Sequence, residues 1–363
     1  MNFGLEEHQD QLLRASEQWL NRSWSAGDRA SPDGRRALWS EVVANGWAGM
    51  LESELGSASV LDAALLVERL AMGGCSLPIV GGGLIAPLVA EVAGIDLGDA
   101  NVGLLAFEAG SAETPTARGL DIADTVIAVR WTTGPDPDAG ADVHEPAPRW
   151  QVAAFSIDQG PGLVTLQREE RFELSGLADP VALTSAAWQT VDPLPMTRIW
   201  QIGAVLSAAE LVGLGRAVLD QCVSYAGVRE QGGKPIGGHQ AVQHRLADML
   251  ACVDRSRYIT YVAAAGLAAD SATDDGGSDN GAPKKSAPKN GAPADRSSDG
   301  VAVHQAKALA ARDCLVAIRS AHQVMGAISF SAEHELHHFH KQAVLAANEF
   351  GSANHHWRAL ERA

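Results

Sequence analysis

Two groups of side chains have types and spacings that could do chemistry. In the first, Arg229 and Lys234 flank Gly232-Gly233, with Pro235 and Gln240 close behind. Paired glycines lower helix propensity and free the backbone, and Pro235 cannot continue a preceding helix. Two cations and the backbone groups of a Gly-rich turn are thereby left at a helix end, where they can meet an anionic ligand. A helix hairpin with a basic corner and no ligand is the competing reading. The second group, His334-Glu335-Leu336-His337-His338, satisfies the H-E-x-x-H pattern of zinc peptidases, with His334 and His338 on one helical face. A catalytic zinc needs a third protein ligand in a positioned cleft. No Gly-x-x-His continuation follows and Glu349 is a poor third ligand, so no metal is expected. His355-His356 reads as a polar C-terminal turn.

The whole chain sets bounds on what these groups can do. At 363 residues it can bury a large core and divide into two or three units. A hydrophobic content of 46% without an unbroken apolar run of spanning length points to a soluble protein with no membrane span. Met1 to Gln11 carry acids and no basic n-region, so no secretory signal is expected. Cys75, Cys222, Cys252 and Cys314 lie far apart and read as reduced thiols of a cytoplasmic protein. A net charge of -16 opposes nucleic acid and anionic membranes as partners, although a local Arg/Lys corner can still hold phosphates.

The elements that position these groups follow from periodicity. Leu5 to Trp19 has helical spacing. Ser31-Pro32-Asp33 opens a second helix that Asn45-Gly46 closes, and a third covers Leu61 to Met72. Helix signals then give way, near Gly98, to strand-like runs at Val102 to Phe107, Thr125 to Trp131, Trp150 to Ile157 and Ala182 to Val191. Gly134 to Pro148 is a Pro/Gly/Asp-rich loop among them. Met196 to Arg229, His239 to Asp270, Val301 to Met325 and Ala332 to Asn348 have the apolar faces of an antiparallel four-helix bundle. Ser271 to Gly300 is too polar and too long for a bundle loop and reads as a disordered insertion.

Several strings together resemble the acyl-CoA dehydrogenase family. Tyr225, Arg229, Gly233, Pro235, Ile236, Gln240 and Leu246-Ala-Asp-Met249 match the family's tyrosine, Arg-x-Gln-Phe-Gly-x-Pro-Ile turn and following helix, with Gly232 in place of phenylalanine. Leu38-Trp39 and Gly46-Trp47 are similar to its N-terminal helix and turn. Gln323-Val-Met-Gly326-Ala-Ile-Ser-Phe330 resembles Gln-x-x-Gly-Gly-x-Gly followed by an aromatic residue, with Ala327 replacing one glycine. The resemblance implies a mainly α fold with a β middle domain: a helical N-terminal domain (1–98), a reduced β domain (99–195) and a C-terminal four-helix bundle (196–363) with the insertion 271–300. It also implies FAD as cofactor, with Arg229, Gln323 and Gly326 contacting the adenylate half of a flavin bound mainly by a neighbouring subunit. The family's flavin-facing Thr-Glu-Pro-x-x-Gly-Ser-Asp is eroded here to Leu105-Ala-Phe-Glu-Ala-Gly-Ser111.

Family chemistry needs a carboxylate base, which takes a proton while hydride leaves the next carbon for the flavin. In one family position, a Glu-Gly-Thr motif after the last bundle helix, this chain has Phe350-Gly351-Ser352. Glu349 is one residue early, a rotation of about 100° on a helix. The alternative position falls near Gly203, and Glu210 reads as structural. No catalytic residue is therefore assigned. A general base contributes roughly a hundred- to ten-thousand-fold in rate, so the expected enzyme is one subunit of a heteromeric, bulky-acyl or steroid side-chain acyl-CoA dehydrogenase. Its expected partners are an acyl-CoA, a homologous subunit that supplies the base (α2β2, or else a homo-oligomer) and an electron-transfer acceptor. The alternative is a non-catalytic structural or binding subunit with the same fold. Because its composition offers no core contacts, deleting Ser271 to Gly300 should leave the melting temperature nearly unchanged; a loss of several degrees in a thermal melt would show that the tract packs on the bundle.

Overall fold

A computed structural model of the chain describes residues 4–24, 31–52, 58–108, 116–132, 149–157, 164–169, 173–178, 183, 187–274, 298–331 and 334–362. The expected loop 134–148 and most of the expected insertion, 275–297, lie outside them.

Four helices form the N-terminal unit: α1 (Glu7–Ser23), α2 (Pro32–Ala44), α3 (Val60–Met72) and α4 (Ala86–Ala93), the last entered through a π-helical turn at Ile79–Ile85. Local chemistry sets their starts. The Ser31 hydroxyl accepts from the Gly34 N–H with Pro32 at the first helical position, and Ser59 and Asp62 form a capping box on α3. Trp19, Trp39 and Trp47 are buried together, Trp47 meeting Trp19 edge-on at 5.7 Å.

The middle of the chain makes two sheets. The first has the order β1 (Val102–Glu108), β3 (Thr125–Thr132), β4 (Arg149–Ser156), β7 (Gln189–Val191), with β1 and β3 parallel and the other pairs antiparallel. The second has the order β2 (Thr116–Arg118), β6 (Glu173–Ala178), β5 (Val164–Glu169), and is antiparallel. Of the strand expected over Ala182 to Val191, the described part is β7, where Gln189 to Val191 pair with β4; residues 182 and 184–186 lie outside the described residues.

The C-terminal unit is a bundle of α5 (Pro193–Val228), α6 (Gln240–Asp274), α7 (Ser298–Met325) and α8 (Leu336–Asn348), followed by α9 (Ala353–Arg362). Helix α6 runs four residues past Asp270 and α7 begins three before Val301, so both ends of the tract 271–300 are helical. The 36-residue α5 is long and apolar enough to cross a membrane by composition, but 89% of its most apolar window is buried inside the protein. It is apolar on every side because it is surrounded by α3, α6, α7 and α8, as a central helix must be. His355 and His356 lie on α9 rather than in a turn, and His356 is buried.

The helical units touch most closely where α3 crosses α5. A Cβ on Gly213 would sit 2.3 Å from the Glu68 carbonyl oxygen and 2.8 Å from the Ala71 Cβ. Beside the crossing, the buried Glu68 carboxylate accepts from Tyr261 Oη at 2.7 Å and pairs with Arg257 Nε at 2.9 Å, which ties α3 to α6. Alanine adds about 1 kcal/mol of helix propensity over glycine, but a backbone oxygen cannot rotate away and overpacking costs about 1–3 kcal/mol. Gly213→Ala should therefore lower the urea midpoint, whereas Gly227→Ala on the same helix, with nothing within 4 Å of its Cβ position, should raise it.

Candidate functional site

The two ends of the bundle are built differently. At the first end, α5 terminates with Arg229 as its C-cap. The chain then makes a tight hairpin between β8 (Glu230–Gln231) and β9 (Lys234–Pro235), with Gly232 and Gly233 at φ +64° and +78°. Positive φ at both central residues is the requirement of a type I′ turn, which glycine meets without steric cost. The Ile236 N–H donates to the Arg229 carbonyl at 2.7 Å, closing the corner before α6 begins. Lys234 is not a free cation, because its Nζ donates to the Gly238 carbonyl at 2.9 Å. The basic corner narrows to Arg229, which is exposed and has no carboxylate partner among the described residues.

Helix α7 ends beside this corner. Gln323 is exposed on its last turn, and Gly326, at φ +65°, opens a 3-10 turn with nothing within 4 Å of its Cβ position. Tyr225, one turn before Arg229, and Met325, between Gln323 and Gly326, line one open cavity of about 470 Å³ with Gln221, Ser224 and His334. The cavity thus joins the two sequence motifs that resemblance assigns to the cofactor. His334 is not on the helix with His338: α8 begins at Leu336, whose N–H donates to His334 Nδ1 at 3.1 Å. This imidazole caps the helix, and the one-face spacing of H-E-x-x-H is lost. Among the described residues no three His, Cys, Asp or Glu side chains converge on a common point.

The second end lies where sheet and bundle meet, and its core is ionic. Arg118, the last residue of β2, donates from Nη1 and Nη2 to the Glu210 carboxylate at 2.5 and 2.8 Å, and from Nε to Glu349 Oε1 at 2.7 Å. Arg118 and Glu210 have side-chain exposures of 8% each and Glu349 of 27%. Glu349 is the C-cap of α8 and points into this pair. The last carbonyls of a helix lack intrahelical donors, and here Ala346 O accepts from Ser207 Oγ at 2.6 Å and from Lys307 Nζ. The Lys307 ammonium also donates to Ser207 Oγ at 2.8 Å. A cation at a helix C-terminus is favourable, yet burial pushes Lys307 down to about 7 despite the nearby Glu349 and Glu210.

Phe350 follows in the left-handed region, φ +54°, where a non-glycine residue persists only when its surroundings hold it. Its carbonyl accepts from His356 Nε2 at 3.0 Å, so the neutral His356 ring accepts at Nδ1 from His304 Nδ1, 2.7 Å away. Burial, with help from Lys307 and His304, holds His356 down at about 2 and keeps it neutral. The Phe350 ring is buried and meets Trp200 edge-on at 5.1 Å; Trp200 in turn lies 4.7 Å from Trp131 and 5.5 Å from Trp150. A Cβ on Gly203 would fall 2.4 Å from the Phe350 ring. The two positions considered for a base are therefore in contact, and an aromatic ring fills the space between them.

Sequence reasoning missed Arg118, Lys307, His304 and His356. Only Lys307 left a signal, as a cation among Val303, Ala306, Ala308 and Ala310 on an apolar face. Of the eroded flavin-facing stretch, Leu105 to Glu108 lie in β1, and 109–111 fall outside the described residues.

A helical N-terminal unit, a small β unit and a C-terminal helical bundle together define the acyl-CoA dehydrogenase fold. Residues 195–363 match the family's "Acyl-CoA dehydrogenase, C-terminal domain". The chain is 27% identical over 348 residues to acyl-CoA dehydrogenase IpdE2 of Mycobacterium tuberculosis, covering 94% of this chain and 89% of that one. It is 36% identical over 163 residues to acyl-CoA dehydrogenase FadE34 of the same organism, covering 45% of this chain but only 19% of that protein's length. The fold is similar to that of a chain in the ChsE4-ChsE5 complex from Mycobacterium tuberculosis, with a TM-score of 0.70 at 18% identity, covering 100% of this chain and 98% of that one. Residues 195–363 thus carry the family's C-terminal domain, and the chain as a whole has the acyl-CoA dehydrogenase fold.

The buried ammonium makes stability depend on pH. Unfolded, Lys307 keeps its proton to about pH 10.4; folded, it releases it above about 7. Between those limits the unfolded state binds more protons, so this residue makes stability rise with pH, by up to about 1.4 kcal/mol per unit. Lys307→Met should show a flatter profile than the unmodified chain in urea midpoints measured from pH 7 to 9.

Proposed function

We propose that the chain is a subunit of an FAD-dependent acyl-CoA dehydrogenase, which introduces an α,β-double bond into an acyl-CoA thioester together with a homologous partner subunit that supplies the base. The observation that carries this reading is the contrast between the two ends. The cofactor-facing motifs are presented on the surface, while both positions for a base are occupied by Gly203 and a buried Phe350. An α2β2 heterotetramer, a bulky or steroid-like acyl group in lipid degradation, a soluble electron-transfer acceptor and a cytoplasmic setting belong to the same proposal. A non-catalytic structural subunit is the second reading, favoured by the filled position at Phe350.

The residues present fit the cofactor. The guanidinium of Arg229 is exposed and matches a pyrophosphate through paired, charge-assisted hydrogen bonds. Gln323 offers an exposed amide, and the open space beside Gly326 lets a phosphate or ribose approach the backbone closely. When bound, the flavin supplies the acceptor for a hydride. This chain's part is to hold and orient: Arg229, Gln323 and Gly326 would grip the adenylate half of a flavin whose ring lies in the partner.

Each charge-assisted bond is worth about 1.5–3 kcal/mol, so Arg229→Ala should weaken FAD retention in the complex roughly ten-fold or more while leaving the circular dichroism spectrum unchanged. Flavin absorbance after gel filtration of the chain alone, and of the chain with its partner, is the measurement. A chain that purified alone with one FAD per subunit and oxidised an acyl-CoA would sink the heteromer reading.

A further inference from the structure

An aromatic cluster lies between sheet and bundle. Trp131 comes from β3, Trp150 from β4, Trp200 from α5 and Phe350 from the turn after α8. Four rings from four elements meet there, and the Phe350 ring reaches within 2.4 Å of where any side chain at position 203 would begin. Only glycine at 203 permits this. The ring is held by restraints on both sides of its backbone. Before it, Glu349 is ion-paired to Arg118; after it, the Phe350 carbonyl is bonded to His356, itself bonded to His304. The preceding helix end is fixed by Ser207 and Lys307 on the Ala346 carbonyl. A strained φ with this many restraints is over-determined rather than incidental.

We infer that Phe350 is a built-in plug: its ring, seated on Gly203 and against Trp200, which Trp131 and Trp150 back, closes this chain's own acyl chamber, so that the chain binds no acyl thioester between its sheet and its bundle. The inference rests on the family reading of where the reacting carbons lie. It goes further than a missing base, because a missing base would leave a chamber able to bind without reacting. A plugged chamber does neither. The closed site then gives the chain a rigid, ligand-independent junction from which to present its surface motifs.

Phe350→Gly tests the plug, since glycine adopts φ +54° without strain and the turn can persist once the ring is gone. Octanoyl-CoA is titrated into the full-length chain while tryptophan emission and amide exchange over residues 199–206 are followed. The unmodified chain should show no saturable change in either. Phe350→Gly should show a saturable change in both, at least ten-fold tighter than any residual response of the unmodified chain. Saturable protection of 199–206 in the unmodified chain would overturn the plug, and so would a folded Phe350→Gly that gives no response. If circular dichroism shows that the variant does not fold, amide exchange in the unmodified chain decides alone. Flavin retention through Arg229 is a separate readout, so a failure of the heteromer reading can be told from a failure of the plug.

Discussion

Arg118 is the residue on which the relation between sheet and bundle depends. Its guanidinium is shared by Glu210 of α5 and Glu349 at the end of α8, partners 92 and 231 residues away in the chain. Two carboxylates on one cation leave an excess negative charge, and the buried Lys307 stands close enough to feel both acids. Burying such groups is expensive, and removing one member of a buried pair costs about 3–5 kcal/mol because the other is left unpaired. The cluster contributes less to net stability than to geometry. It makes one seating of β2 against the bundle far better than its neighbours.

From that seating the rest of the junction follows. Glu349 turned toward Arg118 places the next residue, Phe350, over Gly203 and against Trp200. The exposed carbonyls that this turn creates are met by Ser207, Lys307 and His356, each from a different helix. The polar cage and the aromatic cluster are thus two sides of one turn. Polar bonds hold its backbone, and the apolar rings take the space that a substrate would otherwise need.

The opposite end of the bundle carries little of this restraint. Arg229, Gln323 and Gly326 stand on exposed helix ends and tight turns, and Tyr225 and Met325, near them in the chain, line an open cavity. In a chain of net charge -16, Arg229 stands at this corner with no carboxylate partner among the described residues. One end is closed by buried ion pairs and rings, and the other is open.

Much of the scaffold was legible in the residues. Ser31-Pro32 and Asn45-Gly46 marked both ends of α2, and Gly232-Gly233 marked the hairpin between α5 and α6, because caps and tight turns are local chemistry. The four bundle helices followed from apolar periodicity. The motifs around Arg229 and Gln323 were also readable, since each sits within a few residues of a helix end. Strands β2, β5 and β6 were not, because they are short and acquire strand character only from pairing with one another. Nor did spacing reveal α9: His356 reads as polar and becomes a core residue only because the Phe350 carbonyl and His304 satisfy both ring nitrogens. The sequence by itself determined that position 350 is not a carboxylate. Only the tertiary structure decided that its ring fills the space over Gly203, since that contact joins residues 147 apart and depends on Arg118, a third segment whose charge has no local partner to betray it.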